Sequence, residues 1–154
     1  MKDHHNYFVK QADTTDLNDA AELFNAYRQF YKQKDDRKGA HAFLSERLLN
    51  KESVIFLAVH AETNQAAGFT QLYPSFSSVS MRKTWVLNDL YVDPDHRGCG
   101  VAAQLIEHVK QFAHETRAVR VSLSTAINNE TAQRLYERTG FQKDQQFFHY
   151  AYTL

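Results

Sequence analysis

Two spacings of apolar residues alternate along the chain. Short, nearly continuous apolar runs at residues 7–12, 54–59, 67–73, 85–92 and 119–124 predict strands. Val54-Ile55-Phe56-Leu57-Ala58-Val59 is apolar throughout, the pattern of a strand covered on both faces. Between these runs the spacing becomes helical. Leu17, Ala20, Ala21, Phe24, Tyr27 and Tyr31 predict a first helix running to about Lys32, with N-cap candidates in residues 13–16. After a break at residues 35–39, Phe43, Leu44, Arg47 and Leu48 lie on a second helix that ends near Asn50. Val101, Ala102, Leu105, Ile106, Val109, Phe112 and Ala113 share one face of a third. A fourth starts near Asn128–Asn129, carries Ala132, Leu135 and Tyr136, and has Gly140 where a helix-terminating glycine belongs. With a turn at 62–65, a loop over 74–78 and a closing hairpin from 141–143 and 147–152, the order is βααβββαβαββ. This predicts an α/β (α+β) fold: a mixed, mostly antiparallel central sheet with about four helices on its two faces.

Composition narrows the function without choosing it. A chain of 154 residues fits one domain, 1–154, and buries about 68–70% of its unfolded surface. Eighteen basic residues balance 18 acidic ones, so no global field favours nucleic acid or a membrane surface. The single cysteine, Cys99, excludes an intrachain disulfide and is compatible with a reducing compartment. Residues 1–6 lack an apolar signal core and no 18-residue apolar run occurs, so a cytoplasmic location is expected. The eight histidines show no metal-binding spacing, and no metal is expected.

The strongest chemical signal is Asp93-Pro94-Asp95-His96-Arg97-Gly98-Cys99-Gly100-Val101-Ala102, between a predicted strand and the third helix. Strand, glycine turn and helix together aim free backbone N–H groups at an anion. Gly98 and Gly100 let the backbone come close to a phosphate, and Arg97 adds a fixed positive charge. The Gly-Lys-Ser/Thr ending of a nucleoside-triphosphate loop is missing, which argues against phosphoryl transfer.

Two segments resemble the GNAT N-acetyltransferase superfamily. Arg97, Gly100 and Ala102 match the three defined positions of its acetyl-CoA signature, Gln/Arg-x-x-Gly-x-Gly/Ala. Asn129 through Tyr136, followed by Gly140-Phe141, is similar to its Asn-x-x-Ala-x-x-Leu-Tyr-(x)3-Gly-Phe pattern. The resemblance implies acetyl-CoA as cofactor. The backbone of Leu90, Tyr91 and Val92 would pair with the pantetheine arm. Amides from Gly98 through Cys99, Gly100 and Val101 to Ala102 would hold the diphosphate beside Arg97, Asn129 would bond the pantetheine, and Tyr136 would protonate the leaving thiolate.

The acceptor implied is a primary amine: a small amine, a polyamine or a lysine side chain. A lysine-like amine must lose its proton first, at a cost of roughly 4–5 kcal/mol at pH 7. Relatives acting on polyamines often carry Glu-Asp before the Leu/Phe-x-Val segment, whereas here the pair is Asn88-Asp89. Asn88 cannot accept a proton, and strand alternation puts Asp89 on the opposite face, so a water chain oriented by Asn88 is one expectation. Tyr27, Tyr31, Tyr73 and Trp85 are candidates to line the acceptor pocket, with core packing as the alternative for each. Protein N-terminal or histone-type acetylation, and a non-catalytic acyl-CoA-binding sensor, remain alternative functions. The aromatic-rich C-terminal hairpin is a candidate homodimer contact.

Overall fold

The computed structural model describes residues 6–154, and the chain divides into two compact units with the boundary after Ser124. In the first, β1 (Tyr7–Gln11), β2 (Val54–His60), β3 (Ala66–Ser77), β4 (Arg82–Val92) and β5 (Val121–Ser122) form one sheet in chain order. Neighbours from β1 to β4 are antiparallel, and β5 joins β4 in parallel at Trp85 and Val86. The helices of this unit are α1 (Leu17–Phe30), α2 (Arg37–Leu49) and α3 (Val101–Glu115).

The unbroken apolar run of β2 is explained by two covered faces. Ile55, Leu57 and Val59 join Phe69 in a core with Leu17, Leu23, Phe24 and Leu44 of α1 and α2. Phe56, of opposite parity, meets His108 and Phe112 of α3 at ring-centroid distances of 4.7 and 5.2 Å. Helices therefore cover both faces, as the pattern predicts.

Several elements depart from expectation. α2 begins inside the predicted break, because the Asp36 side chain accepts a hydrogen bond from Gly39 N at 2.9 Å and caps the helix. β3 continues through the expected loop and contains Pro74. Its pairing with β2 has ended by Leu72↔Val54, so the ring nitrogen of Pro74 owes no ladder bond on that side. The closing hairpin is not formed.

In the second unit α4 (Glu130–Arg138) is the one helix, and residues 139–154 carry no helix or strand. Asp144 Oδ1 accepts from Gln146 N at 2.9 Å and Phe147 N at 3.1 Å, a local turn that occupies amides a hairpin ladder would use. Phe147, Phe148, Tyr150 and Tyr152 are exposed. The expected strand at 119–124 shortens to the two residues of β5. Among the described residues no helix is long and apolar enough to cross a membrane.

Candidate active site

The glycine turn forms where β4 hands over to α3. Asp93 caps a short 3-10 turn, Pro94–His96, through Asp95 N at 2.9 Å. Gly98 and Gly100 then take φ values of 75° and 78°, in the left-handed region open to glycine. Gly100 is the N-cap of α3 and supplies no side-chain cap. The first amides of this 15-residue helix thus lack both an intrahelical carbonyl and a capping oxygen. Gly68 of β3 seats the helix: a Cβ there would lie 2.8 Å from Tyr91 O and 3.3 Å from Val101 Cγ1. Arg97 Nε donates to Val92 O at 2.9 Å, and its guanidinium lies 5.5 Å from the Tyr91 ring centroid.

Of Leu90, Tyr91 and Val92, the ladder selects two for outward display. Asp93 N donates to Ala67 O, so by alternation Tyr91 turns its backbone groups to β3 while Leu90 and Val92 aim theirs away. β5 reaches only as far as Val86, so this edge has no neighbouring strand among the described residues.

A bulge corrects the expected geometry of Asn88 and Asp89. Gln71 pairs with Asp89 and Leu72 with Leu87, leaving Asn88 as the extra, unopposed residue. Strict alternation is lost there. Asn88 is exposed, yet its Nδ2 donates to Asp89 Oδ1 at 3.1 Å. Asp89 is only 5% exposed. It also accepts from Gln71 Nε2 at 2.8 Å and from the Tyr27 hydroxyl. Burial nonetheless pushes its carboxyl above the usual range, against the lowering effect of Gln71, Tyr27 and Asn88. Gln71, fully buried, leaves Oε1 without a partner. Spacing gives no sign of Gln71; the available signal is an amide side chain inside an otherwise apolar buried run.

The aromatic candidates separate. Tyr27 stands edge-on to Phe69 at 5.8 Å and to Tyr31 at 5.0 Å, on the α1 side of the sheet with Asp89. Burial, followed by the Asp89 carboxylate, pushes the half-buried Tyr73 hydroxyl up to about 12. Trp85 departs from the acceptor-pocket expectation. It is buried on the other face, 5.2 Å from Phe112, with Nε1 donating to Thr116 Oγ1 at 2.9 Å.

Within the second unit both motif residues have local structural roles. Asn129 is the N-cap of α4, its Oδ1 accepting from Ala132 N at 3.2 Å. At the other end Phe141 N donates to Tyr136 O at 2.9 Å and Gly140 N to Glu137 O at 3.2 Å. This Schellman closure explains the spacing from Tyr136 to Gly140-Phe141, and the Tyr136 and Phe141 rings meet edge-on at 5.9 Å.

The family model described as "Acetyltransferase (GNAT) family" matches residues 18–141. The chain belongs to the GNAT acetyltransferase family. It is 46% identical over 142 residues to the "Uncharacterized N-acetyltransferase YhfO" of Bacillus subtilis (strain 168), covering 92% of this chain and 94% of that protein. A "Probable acetyltransferase" of Haemophilus influenzae is 35% identical over 120 residues, 78% of this chain and 80% of its own. A crystal structure of a probable acetyltransferase superposes with a TM-score of 0.92 at 45% identity, covering 96% of this chain and 97% of the other. This GNAT chain is accordingly an acetyltransferase enzyme.

Proposed function

We propose that the chain transfers an acetyl group from acetyl-CoA to a primary amine by direct attack, within a single acetyltransferase domain spanning 1–154. The observation carrying this reading is the turn at 97–102: two left-handed glycines, an uncapped helix of 15 residues and an adjacent guanidinium. These donors fit a diphosphate, since a helix N-terminus and an arginine both favour an anion. Acetyl-CoA would supply an activated acetyl thioester.

The outward N–H and C=O of Leu90 and the N–H of Val92 support hydrogen bonding to an extended pantetheine arm, while Val92 O is engaged by Arg97 Nε. Leu90 N–H is suited to stabilise negative charge developing on the acetyl oxygen. Asp89 is the group fitted to accept the ammonium proton, because burial has raised its affinity for protons. Tyr27 and Tyr73 share its surroundings and suit an acceptor that arrives as a cation. Asn88 contacts the Asp89 carboxylate and serves as an orienting group. Asn129 and Tyr136 are assigned their roles toward pantetheine and the leaving sulfur by their match to the family pattern.

Titration of CoA by calorimetry, followed by thiol release with acetyl-CoA against small amines, polyamines and lysine peptides, tests the reading. Micromolar CoA binding with amine-dependent release is expected. Binding without such release would identify a sensor, and absence of binding at millimolar CoA would overturn the site.

A further inference from the structure

We infer that Tyr7, on the edge strand β1, is a positioning residue that sets the shape of the diphosphate-binding turn. The inference rests on the reading of residues 97–102 as the diphosphate site. Tyr7 is remote in sequence, yet it is bonded to the chain on both sides of that turn. Its hydroxyl shares a hydrogen bond of 2.8 Å with His96 Nδ1, one residue ahead of Arg97. The Cys99 thiol, between the two glycines, is near enough to raise that hydroxyl's affinity for its proton. The Tyr7 carbonyl accepts from Gln104 Nε2 in the first turn of α3 at 2.7 Å.

Cys99 Sγ donates to Arg97 O at 3.7 Å, which turns the thiol inward at 5% exposure rather than out toward an anion. Burial and the neighbouring Cys99 raise the Tyr7 hydroxyl's hold on its proton, which keeps it a donor. His60 packs edge-on against the Tyr7 ring at 5.1 Å and closes the other side.

The physical need for such a clamp follows from the turn itself. Gly98 and Gly100 have no side chains to hold them at φ values of 75° and 78°. Glycine has the largest conformational freedom to lose, so amides converging on an anion require fixing from outside. Tyr7, bonded to His96 on one side of the turn and to Gln104 on the other, supplies that constraint.

The test compares acetyl-CoA with S-acetyl-pantetheine, which keeps the thioester and pantetheine but lacks the diphosphate. For Tyr7→Phe, the ratio of kcat/KM for acetyl-CoA to that for S-acetyl-pantetheine should fall about tenfold, the effect of one lost hydrogen bond. His96→Ala, which removes the same bond from its half-buried partner, should move the ratio the same way. It also serves as the second variant should Tyr7→Phe fold poorly. A proportional loss with both donors would mean a general structural role and overturn the inference. If the wild-type ratio favours acetyl-CoA but neither variant changes it, the inference fails and the diphosphate site stands. A wild-type ratio near one removes the site, and the positioning role with it.

Discussion

Replacing Asp89 by asparagine separates chemistry from stability. The carboxylate receives Gln71 Nε2 at 2.8 Å, Asn88 Nδ2 at 3.1 Å and the Tyr27 hydroxyl. Hydrogen bonds to a charged group contribute about 1.5–3 kcal/mol each. The carboxyl is nevertheless raised, so removal from water outweighs all three in setting its proton affinity. The sign for stability follows from linkage. A folded-state value above the unfolded one means the folded protein binds the proton more tightly. The stabilisation is present at low pH and is lost as pH rises from the unfolded value, about 3.9, through the folded one. At neutral pH the charge thus weakens the fold. Asp89→Asn removes that penalty but sets a new NH2 group against three donors. Gln71 can relieve one mismatch by turning its amide, because Oε1 is buried and unpartnered. The two effects oppose each other at about 1–3 kcal/mol apiece, so the melting temperature at pH 7 should move by less than about 5 °C. Turnover has no such compensation. Loss of a general base should lower kcat/KM by about 10²–10⁴-fold. The wild-type limb that rises with pH as Asp89 deprotonates should also vanish. Steady-state kinetics across pH, paired with thermal melts, reads both. A variant retaining kcat/KM within threefold, with the limb intact, would refute Asp89 as the proton acceptor.

Arg97→Glu reverses an exposed charge beside the turn and should weaken CoA binding about tenfold or more at low salt, less at high salt, by calorimetry. Tyr136→Phe should lower kcat about 10²-fold while changing CoA affinity less than about twofold; equal turnover would remove the hydroxyl from the mechanism. Gly100→Ala forces a side chain onto φ 78° and should cost about 1–2 kcal/mol, seen as a lower melting temperature, together with weaker CoA binding.

The parts of this molecule that were legible in the sequence are those written in local pattern. The β2 run announces its two covered faces, and the β4–turn–α3 segment announces itself through glycines placed between an apolar strand and an amphipathic helix. The motif from Asn129 to Phe141 is legible for the same reason, because Asn129, Gly140 and Phe141 close the two ends of one short helix. What pattern misses is decided by partners distant in sequence. Pro74 reads as a loop until the end of β2 leaves its nitrogen without a required bond. The bulge at Asn88 arises from registry with β3 and is invisible in β4 alone, so alternation misplaces Asp89 relative to Asn88. Trp85 is an aromatic in a strand either way, and only the position of α3 decides which face takes it. Tyr7 and Gln71 carry no motif; their significance comes from what the sheet brings beside them.

The extra residue on β4 has an evolutionary corollary. Because Asn88 stands outside the ladder and in solvent, its side chain is tied to the sheet through the Asp89 carboxylate. Descendants of this scaffold can exchange that position for another amide or a hydroxyl at the cost of that one contact, whereas an acid there would set two carboxylates side by side. With Asp89 as the proton acceptor, a single codon there would retune its reactivity, while the buried carboxylate is held to its identity by everything packed around it.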